Sequence, residues 1–140
     1  MQRRDVARRN WLWALVALAA LLALAAAILR EVRQNEVGHA ERVTAMTGGN
    51  IARGRDLFQL YGCGACHSIS GVPQAQGQVG PPLEGFGARA IIAGRLPSSP
   101  DNLQRWLVDP QAVAPGTAMP RLGVSPRDAR DLSAFIYSRR

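Results

Sequence analysis

Residues 63–67 read Cys63-Gly64-Ala65-Cys66-His67. In a helical turn, positions three and four apart share one face, so both thiols and the imidazole project to the same side of the chain. Two sulfurs at that spacing suit the two vinyl groups on neighbouring pyrroles of a haem, and the imidazole then meets the iron. C-x-x-C-H therefore reads as covalent haem attachment. Three other uses of the residues compete. A thioredoxin-like redox pair needs a βαβ setting, which is not visible in this sequence. A structural zinc site wants about four ligands, and outside the motif only His39 is left. An exported chain with a lone C-x-x-C can also carry an idle disulfide.

A haem iron bound on one side by His67 needs a second axial ligand. Met119 lies 52 residues further on, within Pro115-Gly116-Thr117-Ala118-Met119-Pro120. Methionine is usually core filler, but a loop bracketed by Pro and Gly is a poor place for filler. A thioether is soft, favours ferrous iron and raises the potential, which suits electron transfer. Of the other methionines, Met1 is the initiator and Met46 falls in a polar stretch. The expected iron ligands are His67 and Met119.

Working outward, the 140 residues leave room for one domain and an anchor. Trp11 to Leu29 is 19 residues without a charge, about 28 Å as a helix against a hydrocarbon core of ~30 Å. Arg3, Arg4, Arg8 and Arg9 precede it, and Arg30 and Arg33 follow among Glu31 and Glu36. The positive-inside rule then puts residues 1–10 in the cytoplasm and residues 30–140 outside. A cleaved signal peptide is the alternative, with Ala23-Leu24-Ala25 or Ala25-Ala26-Ala27 as the cleavage site, although signal h-regions are shorter. Either way the remainder is exported. Residues 30–48 are polar, without a clear apolar stripe, and read as a partly helical spacer. Residues 49–140 form the domain.

The net charge of +7 arises from 17 basic residues, all arginine, against 10 acids. It splits into +3 for residues 1–49 (seven Arg, four acids) and +4 for residues 50–140 (ten Arg, six acids). The arginines are scattered, with no aromatic platform or reading helix, which argues against nucleic acid. Gly and Pro, 14 and 9 of them, leave a thin core that a covalent cofactor would staple. Within the domain, Ser99-Pro100 and Ser125-Pro126 have the form of helix starts. The first helix ends at Asp109-Pro110, with Leu103, Trp106 and Leu107 on its apolar side. The second runs through Leu132, Phe135 and Ile136. The glycines and prolines between residues 68 and 99 read as loop.

Four pieces in order resemble the class I cytochromes c: Gly54-Arg55-Asp56-Leu57-Phe58 ahead of the Cys63–His67 motif, then Gly80-Pro81-Pro82-Leu83, then Pro115–Met119, then the C-terminal helix. The resemblance covers about residues 49–140. It implies an all-α fold, a few helices wrapped around one covalent haem c, here preceded by one transmembrane helix. It implies that Gly54 and Phe58 cross the last helix at Phe135, and that Trp106 lies near the methionine side. It also implies that the Pro81 carbonyl accepts a hydrogen bond from His67 Nδ1. Arg95 or Arg89 would pair with a haem propionate, Arg95 being the preferred candidate. The domain lacks the lysine ring of soluble mitochondrial cytochromes and is more similar to bacterial respiratory ones.

The expected role is a non-enzymatic single-electron carrier, single-pass in a bacterial inner membrane with its domain in the periplasm. It would pass electrons from a quinol-oxidising complex to a terminal oxidase or reductase. A permanently bound haem c subunit of an oxidase or dehydrogenase complex is the alternative. A ligand-binding or sensing haem protein would require an open iron position.

Overall fold

The computed structural model describes residues 2–140, with residues 2–10 as helical backbone alone. The chain divides into two units, Met1–Gly38 and His39–Arg140.

The described residues of the first unit lie within helix α1 (Gln2–Thr47). From Trp11 this helix is long and apolar enough to cross a membrane, and the side chains from Trp11 to Leu29 are exposed, as a lipid-facing segment requires.

The expectation of a partly helical spacer needs correcting. Residues 30–47 are helical without a break, because Glu, Arg, Gln and Ala fill half of the positions and no proline interrupts. Gly48 stops the helix at φ +66°, its N–H on Thr44 O at 2.9 Å. Nor is the stretch free of apolar contacts. Val43 and Thr47, one turn apart, are buried at 3% and 4% exposure, and Gln104 Nε2 donates to Thr47 O at 3.0 Å. The last turns of α1 thus belong to the second unit.

In the second unit, α2 (Ile51–Leu60) starts where Asn50 Oδ1 accepts from Arg53 N. It crosses α5 (Pro126–Ser138), which Ser125 caps through Asp128 N. At the crossing Gly54 lies on the backbone of α5, where any Cβ would overlap the Asp131 carbonyl. Phe58 and Phe135 meet edge to face with centroids 5.7 Å apart. Arg53 bridges Asp128 and Asp131 beside them, and Tyr61 donates to Asp128. Helix α3 (Pro100–Val108), capped by Ser99, packs Leu103, Trp106 and Leu107 into the core.

Three features lie outside the sequence expectations. The proline that ends α3 opens a further short helix, α4 (Pro110–Val113), with Asp109 as its cap. The segment read as loop contains a 3-10 turn, Phe86–Ala88, and a small antiparallel hairpin. Its strands β1 (Ile91–Ile92) and β2 (Leu96–Pro97) pair Ile91 with Pro97 and Ile92 with Leu96. Ala93 and Gly94 turn it with φ of +51° and +66°.

Candidate haem site

Gly62, at φ +68°, turns the chain out of α2 into a 3-10 turn at Cys63–Ala65. Cys66 N and His67 N both donate to Cys63 O, at 3.2 and 3.0 Å. One turn of backbone thus carries both thiols and the imidazole. Both cysteines are free. Cys63 packs against the core, and burial pushes its thiol up to about 11, so it stays protonated at neutral pH.

The chain then folds back over this turn. Gly77 N donates to Gly64 O at 3.1 Å and Gly80 N to Cys66 O at 2.8 Å. Missing side chains permit that approach. A Cβ on Gly64 would stand 2.9 Å from Ala75 Cα, one on Gly77 would overlap the Ala65 and Cys66 backbone, and one on Gly80 would overlap the His67 ring. Just past Gly80, Pro81 O lies 2.8 Å from His67 Nδ1. A carbonyl only accepts, so the proton sits on Nδ1 and Nε2 keeps its lone pair for a metal.

This loop is secured at several further points. Leu83 N donates to Ser68 O at 2.9 Å, and Arg55 Nε to Gly71 O at 3.0 Å. Ser70 N donates to Glu84, and Arg139 Nη2 to Ser70 Oγ at 2.7 Å. Burial opposes the charge on Glu84, yet the Ser70 hydrogen bonds and nearby Arg139 hold its carboxyl below the usual range. Arg89 donates to Pro82 O while lying over the Phe86 ring, 5.3 Å from its centroid.

Met119 is half-buried against the same core cluster that Cys63 packs on. Its loop is held from α4. Gln111 Nε2 donates to Thr117 O at 2.8 Å and to Met119 O at 2.9 Å, and Gln111 Oε1 accepts from Gly116 N at 3.1 Å. Asp109 takes Arg121 Nε at 2.6 Å on the far side of Met119. That bond, with a second from Ala112 N, holds the Asp109 carboxyl below the usual aspartate range.

Of the remaining candidates, Trp106 is buried in α3. Arg95 is exposed in the hairpin turn, its guanidinium without a partner among the described residues. Sequence reasoning did not single out Gln111, the Asp109–Arg121 pair or the Arg89 bond to Pro82. Their partners are set by the paths of loops, and no spacing rule reports those.

Two thiols on one turn, an imidazole with Nε2 free, and a thioether on the same apolar core form the donor set that haem c uses. Among the described residues there is no group of three or more His, Cys, Asp or Glu, so a zinc-type ligand set is not assembled.

The cytochrome c family model matches residues 51–140. The chain belongs to the cytochrome c family. Haem is therefore the cofactor of this cytochrome c domain, and electron transfer is its chemistry. The chain is similar to cytochrome c oxidase subunit 2 of Alkalihalophilus pseudofirmus, at 36% identity over 87 residues, 61% of this chain and 25% of that protein. It is 41% identical over 71 residues to the same subunit of a Bacillus species, covering 49% of this chain and 20% of that one. For Bacillus subtilis the figures are 30% over 69 residues, 48% and 19%. The cytochrome thus spans a quarter or less of these curated relatives. No solved structure matches it.

Proposed function

We propose that this cytochrome is a membrane-tethered carrier of single electrons that works at a terminal oxidase. One haem c would be held by Cys63 and Cys66, with His67 and Met119 as the protein's ligands to iron. When bound, the haem supplies a one-electron couple. The chain's own residues do the rest. Cys63 and Cys66 fix the group covalently, and Pro81 orients His67 by holding the Nδ1 proton. Gly80 leaves the ring room, and the apolar core excludes water. With His67 and Met119 both given to the iron, no position would be left for a substrate, so we assign no enzymatic step.

The observation that carries this reading is the His67–Pro81 hydrogen bond on a turn that also bears both thiols. Leu60, three residues ahead of Cys63, and Val79, beside Gly80, are exposed at 78% and 75%, and each leaves an apolar side chain open to a small, brief docking contact. The domain's +4 steers it mildly toward an acidic partner, less so at high salt. The apolar span of α1 tethers the domain, raising its effective concentration near membrane partners. The arginines before Trp11 favour a periplasmic domain on a bacterial inner membrane. Electrons would come from a quinol-oxidising complex.

Similarity to oxidase subunit 2 favours an oxidase as the acceptor, and also supports a second reading, a permanently bound haem c subunit of such a complex. A native gel of mildly solubilised membranes, haem-stained and read by mass spectrometry, separates the two. A haem band near the 15.1 kDa of this chain supports the mobile carrier. Co-migration with oxidase subunits makes it a fixed electron-entry subunit.

A further inference from the structure

The two sides of the site are supported very differently. Around His67, backbone packs on backbone. Among the described residues, the backbone-to-backbone support of residues 115–121 is one hydrogen bond, Thr117 N to Ala114 O at 3.1 Å. The remaining polar support comes from side chains, and most of it from one amide. Gln111 spends both Nε2 hydrogens on Thr117 O and Met119 O and accepts from Gly116 N with Oε1. No other uncharged side chain offers two donors and an acceptor at that reach. Asparagine is one methylene shorter, and glutamate would set a carboxylate against two carbonyl oxygens. The mount is firm: α4 is capped by Asp109 and rooted by Pro110, which is fully buried.

We propose that Gln111 is a positioning residue for Met119. It ties three points of the loop into one unit, so that the thioether stays in place as an iron ligand, and it governs how often that ligand lets go. The inference rests on the assignment of Met119 to the iron made above.

The test uses the full-length holoprotein in detergent. The rate of imidazole binding to the ferric form reports release of Met119, and the ferric methionine–iron charge-transfer band reports its occupancy. Far-UV circular dichroism gives overall stability. Gln111→Met keeps the volume and loses every hydrogen bond, and Gln111→Asn keeps the chemistry and loses the reach. Both should bind imidazole about tenfold faster or more, the scale of losing one or two net hydrogen bonds. The covalent haem should stay attached. Phe135→Leu, which loosens the α2–α5 crossing, should lower overall stability and leave the imidazole rate at its native value. Native rates in both Gln111 variants would overturn the proposal, as would an equal acceleration in Phe135→Leu. Met119→Ala run in parallel locates the failure. If it opens the iron while the Gln111 variants do not, only the positioning role falls. If it binds imidazole no faster than the native chain, the axial assignment falls and takes this inference with it.

Discussion

The loop that follows His67 and the loop that carries Met119 hold the two proposed iron ligands by opposite means. On the histidine side, Gly64, Gly77 and Gly80 are spaces with no room for a Cβ, and the backbone itself is the support. On the methionine side, Gly116 and Gly123 adopt φ of +81° and +73° with open space around them, so they serve conformation and not packing. Side chains from α4 then hold the loop. A support made of packed backbone has no partial state, because its members cannot move singly. A support made of side-chain hydrogen bonds can loosen one bond at a time. The difference places rigidity at the Cys63–His67 end of the site and leaves Met119, the ligand we propose to be exchangeable, on the adjustable end.

The largest effect should come from Gly80→Ala, which drives a methyl into the His67 ring. We expect a loss above about 3 kcal/mol, beyond the usual overpacking range, with native histidine ligation abolished. A low-spin spectrum and normal unfolding midpoint in that variant would mean the histidine side is not tightly packed. Met119→Ala should come next. The haem stays covalently bound, the ferric methionine band disappears, and the ferrous form takes up carbon monoxide at neutral pH. An unchanged ferric spectrum would remove Met119 from the iron.

Gly116→Ala sharpens the contrast, because it adds the same methyl as Gly80→Ala without a neighbour to meet. Its cost should be only that of a left-handed residue, about 1–2 kcal/mol by denaturant unfolding, with haem ligation native. A loss as large as that of Gly80→Ala would erase the distinction between the sides.

The smallest effect lies away from both loops, at the α2–α5 crossing. Hydrogen bonds from Tyr61 and Ser125, then from Arg53, hold the Asp128 carboxyl below the usual aspartate range. A carboxyl depressed on folding adds stability above its unfolded pKa and loses it as the pH falls toward its folded one. Thermal stability should therefore drop in acid, and Asp128→Asn should flatten the acid limb of that profile. An unchanged limb would show that the pair is solvated and idle.

How much of this could be read from the sequence follows from where each contact comes from. The Cys63–His67 turn and the caps at Ser99 and Ser125 depend on neighbours within a few residues, so spacing was enough. The Gly54 and Phe58 crossing with α5 needed the resemblance to the family, which supplies the partner helix. The end of α1 gives no such signal, because Val43 and Thr47 are two positions in a polar run, too few to make a stripe until Gln104 and the core are in place. Helix α4 hid behind Asp109-Pro110, which ends one helix and begins the next. Gln111 carries no signal in the chain, since its three partners are backbone groups whose positions exist only once the Met119 loop has closed.

The proposed function requires one covalent haem, bound by His67 and Met119 and used for single electrons. An optical redox titration of the purified full chain, with haem and protein quantified together, tests it directly. We predict one haem per chain, a single reversible one-electron step, six-coordinate spectra in both oxidation states and no carbon monoxide binding at neutral pH. A ferrous form that binds carbon monoxide, or a haem with no reversible couple, would contradict the account.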